Sequence, residues 1–425
     1  MTRVESTPSP LSIWIANPFD DVPGEGLPPL RYWTLARVLA GRGHHVVWWT
    51  ANWSHRRKAP RYPAGAIAAD EGFEIRPVAV RPYRRNVALD RLGSHRDFGR
   101  TLERLALEAV AAGQLDRPDV IVASLPPLEG PEAASRLARR LDSQLVVDLM
   151  DLWPETFVQL LPGPTWITGW IAPLLFGGMR RRRHRVLGAA DAVSSSTKTY
   201  LAAVDDEIPP GTPTHVCHLG AYLQEFSPPR RGPIDAEVAA DAPLRCVYGG
   251  SLERSQDLAI VVDAQRMLST AGRAVEIHVA GTGSLESHLR AVAERCQGKS
   301  RLIVHGLLDR RGYARLLDSC DVGLVLVKPA SRVAVPYKAA DYAAAGLAIV
   351  NGLPGELADL VAEYGAGCDY VAGQASSLVE ALTRLATDRV WLRQCRDGSR
   401  RLAESCFDRE RIYLQFAQWI ENLTS

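Results

Sequence analysis

Short apolar runs, each ending in a loop and followed by a helical stretch, recur from Leu11 to Asn351 and restrict this chain to parallel α/β folds. Leu11–Asn17 (LSIWIAN) passes through Pro18–Pro29, which holds Gly24-Glu25-Gly26, into a helical pattern at Arg31–Ala40 and a strand at His45–Thr50. That order makes a βαβ unit. Strands are predicted to follow at Val78–Tyr83, Asp119–Ala123, Gln144–Val147 and Asp191–Ser195, with helices at Asp97–Gly113 and Pro131–Leu141. Ser227–Pro243 is rich in proline, arginine and alanine without an apolar period, as an interdomain linker would be. A second series then begins, with strands at Leu244–Tyr248, Val275–Ala280, Leu302–His305, Val322–Val327 and Leu347–Asn351. The expectation is two Rossmann-like domains facing a central cleft. Residues 11–226, joined by a closing helix within 408–425, form the first, and 244–407 form the second.

At 425 residues the chain has room for two such cores. A formal net charge of +2 is too small for a general nucleic-acid binder. Seven cysteines, at 217, 246, 296, 320, 368, 395 and 406, form no CxxC pair and no metal-ligand spacing, which suits reduced core thiols in a cytoplasm. Met1–Pro10 is polar and has no apolar h-region, so no signal peptide is expected.

The chemistry of the second series gathers around Val335–Gly346 (VPYKAADYAAAG). Pro336 suits a helix start, where its missing N–H would have no partner anyway. Lys338 and Asp341, three residues apart, put a cation and a carboxylate on one face of the first turns. An anion at this helix start would meet free N–H groups, the positive end of the dipole and Lys338. Equally, the stretch reads as an alanine-rich core helix with one surface ion pair. Gly249-Gly250-Ser251 and Gly281-Thr282-Gly283 each follow a strand and present backbone amides of the kind a diphosphate needs. Gly281 and Gly283 suit the tight turn itself. Arg254, three residues beyond Ser251, is the second cation, or else a plain surface arginine. Asp341 can accept from ribose hydroxyls or pair with Lys338. Asp148, Asp151 and Glu155 of DLMDLWPE lie just past a strand's carboxyl end, where parallel sheets bind ligands, although Asp148 could equally pair within the fold.

Phe157–Gly178 is strongly apolar, but Pro162, Pro164 and Pro173 interrupt it, which argues against a transmembrane span. Trp166 and Trp170 beside Arg180–Arg183 and Arg185 are what a peripheral membrane contact needs. A buried connection followed by a solvated, arginine-rich helix fits the same residues.

In this order, IANPFDDVPGEG, RYWTLARVLAGRGH, DLMDLWPETF, VYGGSLERSQDL, VAGTGSLESHL, VHGLLDRRGYARLLDSCDVGLVLVKP and VPYKAADYAAAGLAIV resemble the family 4 retaining glycosyltransferases of GT-B fold. The likeness is strongest to a bacterial branch carrying Asp-Leu-Trp-Pro-Glu and runs from about Ile13 to the C-terminus. It implies a nucleotide-sugar donor on the C-terminal domain, an acceptor on the N-terminal domain, and a final helix, Glu410–Leu423, crossing back to the first domain. Arg254, Lys338 and Asp151 then take the catalytic roles. Gly24, Gly26, Gly249, Gly250, Ser251, Gly281, Gly283, His305, Tyr337 and Asp341 line the donor, with Val333 where the family has its first acid. Asp148, Trp153 and Glu155 fall on the acceptor side. The resemblance implies transfer with retention, no metal, and no cofactor beyond the nucleoside-diphosphate sugar as co-substrate. The acceptor is expected to be a polyprenyl-linked sugar, given Phe157–Arg185, or a small soluble metabolite; the location is cytoplasmic, at the inner face of a membrane. Competing readings are a GT-B-like epimerase or phosphorylase and a non-catalytic nucleotide-sugar binding protein.

Overall fold

The computed structural model describes residues 9–26, 29–63, 67–85, 88–158, 165–226, 242–296 and 298–424. Two compact units emerge, residues 1–217 with 413–425, and residues 218–412. Most of the expected linker lies outside the described residues. The first unit ends at Cys217, earlier than the expected Phe226, because the next residues are tied to the second unit. Ala221 bridges to Asp408, and the Arg409 guanidinium donates to the carbonyls of Leu219 and Gly220. The last helix, Arg409–Glu421, contributes its residues from Tyr413 onward to the first unit.

The first unit contains β1 (Ser12–Ala16), β2 (His45–Ala51), a small hairpin of β3 (Trp53–Ser54) and β4 (Ala59–Pro60), β5 (Ala68–Asp70), β6 (Phe73–Val78), β7 (Val120–Leu125), β8 (Gln144–Leu149), β9 (Ala192–Ser195) and β10 (Thr214–Val216). Its main sheet runs β10-β9-β8-β7-β1-β2-β6-β5, parallel except for the β5–β6 edge pair. Every residue of β7 is buried, as expected of a strand covered on both faces by helices. The strand predicted at Val78–Tyr83 lies instead at Phe73–Val78. There Phe73 and Ile75 point inward while Glu74 and Arg76 stay partly exposed, a period-2 pattern broken by charge that an apolar-run reading passes over.

Asp148 closes β8 inside this core rather than at an acceptor surface. Its carboxylate is fully buried and accepts from Arg31 Nε at 2.6 Å, Arg31 Nη2 at 2.8 Å, Tyr32 Oη at 2.6 Å and Ser194 Oγ at 2.7 Å. Arg31 also donates to the Cys217 carbonyl at 2.6 Å. Burial opposes the charge on Asp148, but the Arg31 charge and these hydrogen bonds outweigh it and hold the carboxyl below its usual range. The acceptor-side expectation for Asp148 is therefore corrected: all four lone pairs are committed within the core.

The second unit carries β11 (Leu244–Gly249), β12 (Val275–Ala280), β13 (Arg301–Gly306), β14 (Val322–Val325), β15 (Ala348–Asn351) and β16 (Gly367–Asp369) in one all-parallel sheet, ordered β13-β12-β11-β14-β15-β16. The Tyr337–Ala344 helix packs on it through Ala339, Ala340, Tyr342, Ala343 and Ala344. Gly323 on β14 permits this approach, since a Cβ there would stand 2.3 Å from the Tyr342 ring.

Removing one side of the Arg31–Asp148 pair strands a buried charge. Asp148→Ala should cost about 3–5 kcal/mol, and Tyr32→Phe about 1 kcal/mol, both read by urea unfolding. An Asp148→Ala variant as stable as the parent would show that the pair does not hold the core.

Candidate active site

In the second unit, three loops leave the carboxyl ends of β11, β12 and β13 already locked together. Gly250 N–H donates to the Ala280 carbonyl, Leu252 N–H to Thr282, Leu285 N–H to Leu252 and Gly281 N–H to Gly306. Glu253 accepts from the Ser284 hydroxyl at 2.6 Å and its amide at 3.1 Å. The glycines are steric requirements of this contact. A Cβ on Gly281 would stand 1.8 Å from the Gly250 carbonyl oxygen, and one on Gly283 would stand 2.5 Å from the Leu252 backbone. Gly281 and Gly283 thus serve the packing of one loop on the next. Gly249 faces inward too. Its amide donates to Tyr342 Oη at 2.8 Å, and a Cβ there would collide with the Tyr313 hydroxyl at 2.2 Å. Gly250 and Ser251 remain exposed at the tip.

Lys338 reaches this tip from the first turn of its helix. Its Nζ lies 4.1 Å from the centroid of the Tyr248 ring, and a Cβ on Gly250 would be 3.2 Å from it. Among the described residues it makes no ion pair. Burial pushes the ammonium down to about 8. The surface ion pair allowed by the three-residue spacing is absent, because Asp341 is held elsewhere. Both its oxygens accept from Arg310 at 2.9 Å, and Arg310 also donates to Glu225 at 2.6 Å. Arg310, Tyr313 and Glu225 were not legible as site residues. They are distant in sequence and belong to no glycine turn. Arg254 is exposed and, among the described residues, has no hydrogen bond or ion pair. Tyr337 is also exposed, at 37%. His305 does not point to the tip as a lone imidazole; its Nε2 is 3.0 Å from His278 Nδ1 on the neighbouring strand, with the rings stacked.

In the first unit, Gly24 and Gly26 adopt left-handed φ values of +86° and +73°. Glu25 between them accepts the Val22 amide at 3.0 Å and lies 3.3 Å from Arg61 Nε. Asp20 accepts the Tyr32 amide at the start of the Arg31–Gly41 helix, and burial raises its carboxyl to about 6. Asp151 accepts the Leu152 amide and the Thr156 hydroxyl, both at 2.8 Å, so it organises its own turn; burial raises its pKa. Trp153 is only 7% exposed and packs on Phe157 at 4.5 Å. Glu155 pairs with Arg180 at 3.0 Å and with Arg183, which also binds Glu207. These arginines hold its carboxyl down despite the opposing effect of burial.

The apolar segment continues, past residues 159–164 that lie outside the described set, as one helix, Thr165–Leu187. Among the described residues no helix is long and apolar enough to cross a membrane. Arg182 pairs with Glu129 and Glu132, whereas Arg181 and Arg185 have no acid partner among the described residues.

Residues 243–388 match the family model described as "Glycosyl transferases group 1". The match covers this part of the chain alone. The loops, Lys338 and Asp341 all lie within it. A curated relative, the amylovoran biosynthesis glycosyltransferase AmsK of Erwinia amylovora, is 23% identical over 217 residues, or 50% of this chain. That match spans only 52%, about half, of the relative's length. Sucrose-phosphate synthase from Thermosynechococcus elongatus aligns with a TM-score of 0.71 at 16% identity, covering 97% of this chain and 99% of that one. Anabaena HepE, solved in complex with UDP-glucose, aligns with a TM-score of 0.61 at 13% identity, covering 97% and 100%. The fold is that of the GT-B glycosyltransferases.

A lysine whose folded pKa lies below its unfolded value of 10.5 binds fewer protons in the folded state. Stability should therefore rise as the pH climbs from about 8 toward 10.5. Lys338→Met should abolish that rise and stabilise the protein at pH 7 by on the order of 1–3 kcal/mol, since each pKa unit corresponds to about 1.4 kcal/mol. Loss of stability in the methionine variant would make Lys338 a structural residue instead.

Proposed function

We propose that this protein is a retaining glycosyltransferase that moves a sugar from a nucleoside-diphosphate donor to an acceptor hydroxyl. One observation carries this reading. A half-buried ammonium over the Tyr248 ring, without an acid partner among the described residues, stands beside the glycine tip of β11, inside the stretch that matches the group 1 family model. A half-buried cation that faces an aromatic ring rather than an acid can take an anion, and here the anion is the donor's diphosphate.

In the reaction, the bond between the sugar's anomeric carbon and the diphosphate oxygen breaks while a bond to the acceptor oxygen forms on the same face. The acceptor's proton passes to a phosphate oxygen. Lys338, Arg254 and the amide of Ser251 stabilise the negative charge that grows on the leaving group, the type of term that dominates many enzymatic accelerations. Asp341, oriented by Arg310, accepts from the ribose hydroxyls. No metal is required by this scheme. HepE's complex with UDP-glucose supports a nucleotide sugar as donor.

The acceptor side includes Asp151 and Trp153, and a lipid-linked acceptor is favoured by the exposed face of the Thr165–Leu187 helix. Leu174 and Leu175 are 85% and 57% exposed. Arg181, His184 and Arg185 continue the same stripe and line an open pocket of about 530 Å³ with Arg180, Asp206 and Glu207. Apolar side chains beside unneutralised cations suit contact with an anionic membrane surface.

Calorimetric titration with UDP should give binding that weakens as pH rises through about 8, where Lys338 loses its proton. Lys338→Arg should remain flat across that range, and Lys338→Ala should bind at least about tenfold more weakly, the loss of one charge-assisted contact. Tight UDP-sugar binding by the parent without hydrolysis or transfer would leave a binding protein rather than an enzyme. For the membrane contact, the parent should pellet with phosphatidylglycerol vesicles and a variant with Arg181→Ala and Arg185→Ala should not. Failure of both to pellet would remove that part of the proposal.

A further inference from the structure

The first unit also buries a polar group that its own described residues leave incomplete. His95, on the Leu89–Ala111 helix, is 2% exposed, and among the described residues neither ring nitrogen has a hydrogen-bond partner. Its nearest carboxylate, Glu129, stands 3.9 Å from Nδ1 and is itself held by Arg182 at 2.9 Å. Burial above all, then Arg91 and His55, push the imidazole down to about 3. It is therefore neutral near pH 7, with one N–H donor and one acceptor lone pair, both unused among the described residues. Leaving such groups unsatisfied costs about 1–3 kcal/mol each, and buried polar groups nearly always have a partner.

Around His95 the surroundings are aromatic. Phe19 meets it edge-on at 5.4 Å and Trp153 lies 5.9 Å away. Phe19 also packs at 5.0 Å on His55, whose Nδ1 is 2.6 Å from Tyr83 Oη. The half-buried Arg91 sets its guanidinium 5.3 Å from the Phe19 ring and 5.4 Å from the Trp153 ring. Phe19 and Trp153 sit in the loops that leave the carboxyl ends of β1 and β8, the edge at which parallel sheets bind ligands. Apolar ring faces around one neutral donor and one neutral acceptor are complementary to a sugar, which presents C–H faces to rings and hydroxyls that both give and take hydrogen bonds.

We propose that the His95 cluster is a recognition site for a neutral sugar ring of the acceptor, with one hydroxyl donating to the imidazole, another accepting from it, and the ring face against Phe19 and Trp153. This rests on the transferase reading and narrows it. The acceptor carries a sugar, rather than being a bare polyprenyl chain or an aromatic metabolite.

Protein labelled with ¹⁵N-histidine, titrated with glucose, galactose and N-acetylglucosamine, should show a saturable shift of the His95 nitrogens with at least one of them. His95→Ala should weaken that sugar by about tenfold or more, as expected for one or two lost hydrogen bonds. His95→Gln, which keeps a donor and an acceptor, should recover part of the affinity, and UDP binding should be unchanged in both variants. Should His95→Ala fail to fold by circular dichroism, the titration of the parent and His95→Gln decides. Unperturbed His95 nitrogens with every sugar, or equal affinity in the variants, would mean that a buried water completes the cluster and would overturn the proposal. Absence of UDP binding by the parent would instead remove the transferase reading and leave the His95 result standing.

Discussion

The hydroxyl of Tyr342 fixes where the Lys338 ammonium sits in the second unit. By accepting the Gly249 amide at 2.8 Å it fastens the Tyr337–Ala344 helix to the end of β11, and the closeness of that contact dictates its neighbours. Gly323 must lack a side chain so that the ring can lie on β14, and Gly249 must lack one because the Tyr313 hydroxyl fills the space. A hydrogen bond of this kind contributes only about 1 kcal/mol. Its larger effect is positional. With the helix start held at the strand end, Lys338 has no route to Asp341, which Arg310 holds, and its ammonium settles over Tyr248 beside Gly250.

The two units treat charge in opposite ways. In the first, acids and cations at the strand ends are consumed by one another: Asp148 by Arg31, Tyr32 and Ser194, and Glu155 by Arg180 and Arg183. Such pairs set the shape of the turns that follow β8. In the second, the loops are joined by backbone hydrogen bonds, while Lys338 and Arg254 are left without acid partners among the described residues. The helix Thr165–Leu187 combines both patterns. Its inward arginines meet Glu129, Glu132, Glu155 and Glu207, and its outward ones meet solvent.

Alternation of apolar runs with glycine-bearing loops was enough to define two parallel α/β units, and it placed Gly249–Ser251 and Arg254 just past the end of one strand and Lys338 at the start of a helix. These are local properties, since chain periodicity and turn chemistry act within a few residues. What each charged side chain does was decided by partners far away in the chain. Arg31 is 117 residues from Asp148, Arg310 is 31 from Asp341, and Arg183 is 28 from Glu155. The spacing of Lys338 and Asp341 allowed a pair that the fold does not make, and Asp148 has the address of a site residue but the environment of a core one. His95 carried no motif at all. Composition and spacing determined that this chain builds glycine-bearing loops at the ends of parallel strands. Only the tertiary structure decided which charges remain available there, because desolvation and pairing depend on neighbours that the linear order does not place together.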